Sequence, residues 1–409
     1  MDDDLKRELQ RRLYELLSPL YSHPSYFPGG QPVSFTRDHL VTSLLDADYF
    51  VCEKSDGCRY LLYLAQPPGG LAAFLIDRNW RVSVFPGFGI CNRSLDLGDL
   101  HADTLIDGEL IEHTNNESKT FLMFDCLLVN GEPVYKRDLP DRLAKLKNHV
   151  VHPFEYMIDN IQGYAEACPF RLKMKEQYKA YGIRELLERV IPEQEHPNDG
   201  LIFTPVHEPY RAGTWNTLLK WKPSAWNTVD FLIGDDGVEL FIGDKGRLRP
   251  YSRLQREQLQ DSAALAAICQ PRSIIECRLQ DNTWTPLRPR PDKTTPNDVH
   301  VVEKILQSIK DDVTERDLIA SLDDVWRAWK ARERGLKYVR LEWRSYTDYP
   351  DYVGYASDDD VDVDVSVDQG TDPKINRIHT HEKEENARAY KKMREEHAEE
   401  SIDNLQYDL

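Results

Sequence analysis

No uninterrupted apolar stretch in the 409 residues approaches the roughly 18 that a membrane-spanning helix needs. The first residues, Met1-Asp2-Asp3-Asp4, lack the basic and apolar regions of a secretory leader. These two absences predict a chain of the cytosol or nucleus with no membrane partner. Seven cysteines are scattered and odd in number, with no Cys-x-x-Cys pair, so neither a zinc site nor a disulfide framework is expected. No internal repeat is visible. The net charge of −18 argues against strong nonspecific duplex binding. About −11 of it comes from the residues after Ser345, however, so a local basic cleft remains compatible with the whole.

What is present divides into three stretches. Leu5, Leu9, Leu13 and Leu16 recur at helical spacing behind an acidic first turn, predicting an amphipathic helix packed on the body of the protein. From Tyr49 to Lys222, short apolar runs alternate with turns and a few helical stretches such as Tyr181 to Val190, the pattern of an α+β domain rich in antiparallel strands. After Pro223 come brief strands: Val229 to Ile233, Val238 to Ile242 beyond a Gly234-Asp235-Asp236-Gly237 turn, and Ile274 to Leu279. They suit a small, partly open β-barrel, with an OB-fold as one candidate. Two apolar helical stripes follow, Val299, Val302, Ile305, Leu306 and Ile309, then Leu318, Leu322, Val325, Trp326 and Trp329. Beyond Ser345, blocks of like charge and low hydrophobicity predict disorder, with one solvated helix from about Glu382 to Glu400.

Six motifs carry the chemistry. Lys54 lies in Glu53-Lys54-Ser55-Asp56-Gly57-Cys58-Arg59, where Asp56-Gly57 predicts the tight turn of a hairpin between strands at Tyr49–Val51 and Tyr60–Tyr63. An acidic pair follows in Ile106-Asp107-Gly108-Glu109-Leu110, and an aromatic strand in Phe121-Leu122-Met123-Phe124-Asp125. Asp199 opens a strand in Asp199-Gly200-Leu201-Ile202-Phe203-Thr204-Pro205. In Leu219-Lys220-Trp221-Lys222-Pro223, strand alternation puts Lys220 and Lys222 on one face. The last run, from Trp284 to Asn297, contains Arg288, Arg290 and Lys293. Alone, each has an ordinary reading: a lysine beside Asp-Gly is a solvated turn residue, and aromatics in strands are core.

Their order and spacing decide otherwise. The series KSDGCR, IDGEL, FLMFD, DGLIFTP, LLKWKP and RPRPDKTTPN resembles the signature of the covalent nucleotidyltransferases. It is most similar to the guanylyltransferases of eukaryotic mRNA capping enzymes, of the kind that form a separate subunit in fungi. The closing Arg-x-Asp-Lys-x-x-Pro-Asn spacing looks like a capping enzyme rather than an ATP-dependent DNA ligase. The resemblance implies an α+β, two-domain fold: an antiparallel-sheet nucleotidyltransferase domain over residues 1–228 and an OB-fold lid with C-terminal helices over 229–345. An acidic, disordered tail would occupy 346–409.

The same resemblance implies that Lys54 attacks the α-phosphate of GTP, expels pyrophosphate and passes GMP to the 5′ diphosphate end of RNA. An ammonium has no free lone pair, so neighbouring cations, here Lys220, Lys222 and Arg59, would ease loss of its proton. Arg59 and Arg78 would bind ribose or phosphates, Glu109 the ribose hydroxyls, and Phe124 would stack on guanine. Lys175, with Lys173 as the alternative, would touch the nucleotide near its base. Asp199 and Asp230 would act near Lys54 or near Mg2+ (or Mn2+). Arg290 and Lys293, with Arg288 close by, would reach the β and γ phosphates from a moving lid.

A nuclear location, a separate RNA 5′-triphosphatase subunit, and docking on the phosphorylated C-terminal repeat of RNA polymerase II are also implied. No Cys-x5-Arg phosphatase loop is present. The rival readings are an ATP-using ligase, a binding scaffold without chemistry, and a sugar-nucleotide-forming guanylyltransferase. A scaffold predicts a broken nucleophile motif, and Lys54 is intact.

Overall fold

The structure is a computed structural model and describes residues 3–66, 70–96, 99–112, 119–255, 267–336 and 338. The acidic tail over 346–409 and the helix expected within it lie outside these. In chain order the main elements are α1 (Asp3–Leu17), β1 (Gly30–Ser34), β2 (Tyr49–Ser55), β3 (Cys58–Ala65), β4 (Ala72–Ile76), β5 (Val82–Pro86), β6 (Thr104–Glu112), β7 (Lys119–Val129) and β8 (Glu132–Pro133). Then come α2 (Leu139–Leu146), α3 (His152–Asn160), β9 (Arg171–Met174), β10 (Tyr178–Lys179), β11 (Asn198–Pro205) and β12 (Gly213–Trp221). The last group is β13 (Thr228–Ile233), β14 (Glu239–Asp244), β15 (Arg247–Arg253), β16 (Ile274–Gln280), β17 (Thr283–Pro289), α4 (Val299–Asp311), α5 (Glu315–Ala320) and α6 (Leu322–Glu333).

Three sheets result. One runs β1-β12-β11-β2-β10; a second has seven strands, β5-β4-β3-β6-β7-β8 with β9 beside β7; the third runs β15-β14-β13-β16-β17. The second sheet is covered on both faces. Leu62, Leu64 and Ile106 face α2 and α3 through Leu146, Phe154 and Met157. Leu61, Tyr63 and Phe74 face α1 through Leu9, Leu13 and Leu17. Burial on both sides explains why Tyr60–Tyr63 is a continuous apolar run rather than an alternating one. The leucine stripe of α1 therefore forms a wall of the core, and truncating the fully buried Leu13 would cost about 2–5 kcal/mol.

The expected hairpin at Asp56-Gly57 does not form. β2 pairs with β10 and β11, whereas β3 pairs with β4 and β6, so the turn carries the chain from one sheet into the other. Gly57 is required for a different reason than turn geometry: a Cβ there would lie 2.7 Å from the Leu110 carbonyl oxygen and 2.5 Å from Ile111 Cδ1.

The third sheet is antiparallel, with β13 central between β14 and β16, an order consistent with the partly open OB-type barrel expected. Its core holds Phe231, Leu240, Ile275 and Trp284, closed by Val302 and Ile305 of α4. β15 and β17, not foreseen from the sequence, carry prolines at 250, 286 and 289. Of α4, α5 and α6, α4 alone joins this core. Leu318 of α5 with Val325 and Ala328 of α6 pack instead on Val51, Phe203 and Trp221 of the first sheet, and Trp221 Nε1 donates to the Val313 carbonyl at 2.8 Å.

Candidate active site

Lys54 emerges where β2 and β11 lose register. Glu53 pairs with Leu201 and Ser55 with Asn198, which leaves two residues, Asp199 and Gly200, opposite Lys54. Such a bulge re-aims a side chain; here it brings Asp199 Oδ1 to 2.6 Å from Lys54 Nζ. Gly200 sits at φ +142°, and a Cβ would lie 2.0 Å from the Trp221 carbonyl oxygen, so only glycine fits. Lys222 Nζ donates to the other Asp199 oxygen. Burial raises the Asp199 pKa, but Lys54 and Lys222 outweigh it and hold the carboxyl below its usual range. Half-buried Lys220 completes the cluster. Burial, together with the charges of Lys222, Lys54 and Lys293, pushes its pKa down to about 8. Lys220 and Lys222 thus lie with Lys54.

Arg59 does not join this group; it is committed elsewhere. Its Nε and Nη2 hold Asp107 at 2.9 and 2.5 Å, its Nη1 donates to the Gly30 carbonyl, and its Nη2 reaches the Tyr210 hydroxyl at 3.3 Å. Four of its five N–H groups are thereby oriented. The guanidinium sits 5.9 Å from the Phe27 ring centroid and 5.6 Å from that of Phe124.

Phe124 owes its aim to a second bulge. Asp107 pairs with Asp125 and Gly108 with Met123, so Phe124 stands unpaired between them, with Lys175 Nζ 5.7 Å from its ring centroid. Lys175 is buried and Lys173 exposed, which turns Lys175 into the site. Its ammonium reaches Ser55 Oγ at 2.5 Å, Glu53 Oε1 at 3.3 Å and Glu109 Oε2 at 3.5 Å. Burial lowers its pKa, but Glu53 and Glu109 prevail and raise it. Glu109 also accepts from Ser55 Oγ at 2.5 Å and from the Gly57 amide at 3.2 Å.

The third group belongs to the barrel sheet. Asp230 takes Arg290 Nη1 at 3.0 Å on one oxygen and Lys293 Nζ on the other. Asp292 forks onto Arg290 at 2.9 and 2.8 Å, and Arg288 pairs with Glu276 at 2.6 Å. Asn79 donates its amide to the Asp292 carbonyl at 2.5 Å, bringing the first domain against the loop that carries Arg290. Arg78 beside it is exposed, and its charge helps to lower the Asp292 pKa.

Two family models match consecutive parts of the chain. "mRNA capping enzyme, catalytic domain" covers residues 1–224, and "mRNA capping enzyme, C-terminal domain" covers residues 226–319. The chain belongs to the mRNA capping enzyme family. The mRNA-capping enzyme subunit alpha of Schizosaccharomyces pombe is 34% identical over 361 residues, 81% of this chain and 88% of that one. Its Saccharomyces cerevisiae counterpart is 32% identical, covering 76% and 81%. The Mus musculus mRNA-capping enzyme is 30% identical, over 76% of this chain and 52% of its own length. A mycobacterial DNA ligase D structure aligns at 19% identity over 65% of this chain and 95% of its own, with a TM-score of 0.37, a likeness too slight to add to the assignment.

For this capping enzyme the expected metal role of its two acids meets an obstacle. Both oxygens of Asp199 face lysine ammonium groups, and both oxygens of Asp230 face Arg290 and Lys293. Among the described residues no three His, Cys, Asp or Glu side chains converge. The described side chains do not by themselves fit a resident metal site. Sequence reading also left Ser55, Asp107 and Tyr210 without a role. Ser55 and Asp107 lie inside motifs already singled out, but Tyr210 lies outside them and carried no signal.

Proposed function

We propose that this mRNA guanylyltransferase works through a covalent lysyl-N-GMP intermediate on Lys54. The observation that carries the reading is the Lys54–Asp199 contact at 2.6 Å, with Lys220 and Lys222 gathered around it. The ammonium must lose a proton before it can attack, and Asp199 is the carboxylate in contact with it. The freed lone pair forms an N–P bond to the α-phosphorus of GTP, the α–β bridging P–O bond breaks, and pyrophosphate leaves with its electrons. A terminal phosphate oxygen of 5′ diphosphate RNA then displaces the lysine, yielding the GpppN cap.

Each remaining side chain has a place in this scheme. Guanine would stack on Phe124 with Lys175 beside it, and Glu109 would accept from the ribose hydroxyls. Arg59, fixed by Asp107, would offer its remaining N–H to the ribose or phosphates, with Arg78 at the mouth. Lys220 and Lys222 would offset charge on the α-phosphate, since phosphoryl transfer depends mainly on positioning and electrostatics. Arg290 and Lys293 would exchange Asp230 for the β and γ phosphates and guide pyrophosphate out as the lid opens. Mg2+ or Mn2+ would arrive on the triphosphate, where phosphate oxygens and water supply most of its ligands.

Partners follow from the same reading. A separate triphosphatase subunit would supply the diphosphate end, and the enzyme would act in the nucleus. A phosphorylated polymerase tail would find anion chemistry away from the active site, at a cavity of about 170 Å³ lined by Arg93, Arg137, Lys145 and His149 together with one acid, Asp141. Burial, with the nearby charges of Lys145, His101 and Arg93, lowers the His149 pKa, while Glu132 opposes it.

The test is direct. Protein incubated with labelled GTP and magnesium should carry GMP on Lys54 by peptide mass spectrometry, pass it to 5′ diphosphate RNA, and ignore ATP offered in parallel. Labelling by ATP, or undiminished cap transfer by Lys54→Arg, would refute the proposal.

A further inference from the structure

The Lys54–Asp199 contact depends on a bulge, and a bulge interrupts the backbone ladder. Three backbone groups at the interruption, the Lys54 carbonyl and the amide and carbonyl of Gly200, are met by one side chain. Asn198 Nδ2 donates to the Gly200 carbonyl at 2.9 Å and to the Lys54 carbonyl at 3.2 Å, while its Oδ1 accepts from the Gly200 amide at 3.1 Å. A carboxamide suits the task because it places a donor and an acceptor on one planar group. On the neighbouring residues, the Asp56 amide donates to the Pro197 carbonyl at 2.9 Å. The bulge that bears the acid is thus fastened to the strand that bears the amine at Lys54 itself and again two residues on, at Asp56.

We propose that Asn198 is a positioning residue for lysyl-GMP formation: its side chain fixes the two-residue bulge that aims Asp199 at Lys54. This rests on the reading of Lys54 as nucleophile. Asn198 need not touch the nucleotide. It acts by holding the carbonyl of the nucleophile's own residue and the peptide that follows the acid, so that amine and carboxylate meet without a search. A displacement of about 1 Å in such a pair can cost on the order of a hundredfold in rate. Alanine removes all three hydrogen bonds. Aspartate retains an oxygen for the Gly200 amide but turns a second oxygen toward two carbonyl oxygens, so it loses both donated bonds and adds repulsion.

Single-turnover formation of the Lys54–GMP adduct separates this role from a general effect on folding. Asn198→Ala and Asn198→Asp should each lower the adduct rate at saturating GTP by about 10- to 100-fold, while the GTP concentration for half-maximal rate stays within about twofold. A rate within about twofold of the parent for either folded variant would overturn the proposal. So would a parallel collapse of GTP saturation, rate and unfolding midpoint, the mark of a purely structural residue. If the alanine variant does not fold, the aspartate variant, which keeps the size of the side chain, decides alone. Parent protein labelled on Lys54 with both variants at full rate removes the positioning role only; parent protein with no GMP on Lys54 removes the nucleophile reading itself.

Discussion

Asp107 and Arg59 form a two-pronged ion pair beside the Phe124 ring, with contacts of 2.9 and 2.5 Å and the Asp107 side chain fully buried. The Tyr210 hydroxyl donates to the same carboxylate at 2.5 Å and accepts from the Gly30 amide. Removing one partner of such a pair strands the other, which costs about 3–5 kcal/mol. Asp107→Asn should therefore destabilise the enzyme by that order in urea unfolding at neutral pH and weaken adduct formation, because Arg59 loses its orientation. A loss below about 1 kcal/mol would show that the pair is not what fixes Arg59.

Phe124 is predicted to supply stacking area to the base. Stacking of a base on an aromatic ring contributes about 1–3 kcal/mol, so Phe124→Ala should weaken binding of a GTP analogue by roughly 5- to 150-fold. Phe124→Tyr should bind close to the parent. Calorimetric titration of the two variants gives the comparison, and equal affinities for both would remove the stacking role.

Lys220 makes stability and binding depend on alkaline pH. Its folded pKa lies near 8, below the unfolded value of about 10.4. The folded state therefore bears a penalty that is full below about pH 8 and gone above about pH 10.4. Lys220→Met should be more stable than the parent at pH 7, with the gap closing toward pH 10. GTP affinity of the parent should weaken as pH rises past 8, and Lys220→Arg should lose that dependence. Urea unfolding and equilibrium binding at the two ends of this range are the measurements.

Asp292 should impose an acid dependence on the barrel domain. The hydrogen bond from Arg290 is the largest influence on its carboxyl; burial opposes it, but Arg290 and Arg78 hold the pKa at about 2, against about 3.9 unfolded. The sign is that of a depressed acid: its contribution is complete above about pH 3.9 and disappears as pH falls to about 2. Asp292→Asn should thus be less stable than the parent at pH 5 and indistinguishable from it at pH 2. A difference that persists at pH 2 would place the effect outside this ion pair.

Much of the molecule was legible in the chain. The helical stripe of Leu9 and Leu13, the Gly234–Gly237 turn between β13 and β14, and the alternation that puts Lys220 and Lys222 on one face all follow from local periodicity and turn chemistry. Others did not. Asp56-Gly57 has the composition of a hairpin turn, yet β2 and β3 found better partners in different sheets, because β3 must be covered on both faces. α5 and α6 pack on the first sheet rather than on the barrel for a related reason: an apolar stripe shows that a helix will be buried, not against which core. Arg59, expected to bind ribose or phosphates, is also held by the buried carboxylate of Asp107, a partner that its motif does not announce.

The sequence by itself determined which chemical groups exist and in what order, and that order was enough to find the family, since the spacing of six motifs does not depend on knowing their contacts. Only the tertiary structure decided that Asp199 and Lys54 touch, that Phe124 faces Arg59 and Lys175, and that Asn198 ties the nucleophile strand to the acid. Those facts rest on bulges and sheet pairing between segments far apart in the chain. Register is chosen by the sum of burial and backbone hydrogen bonding over whole strands, which no local stretch of residues contains.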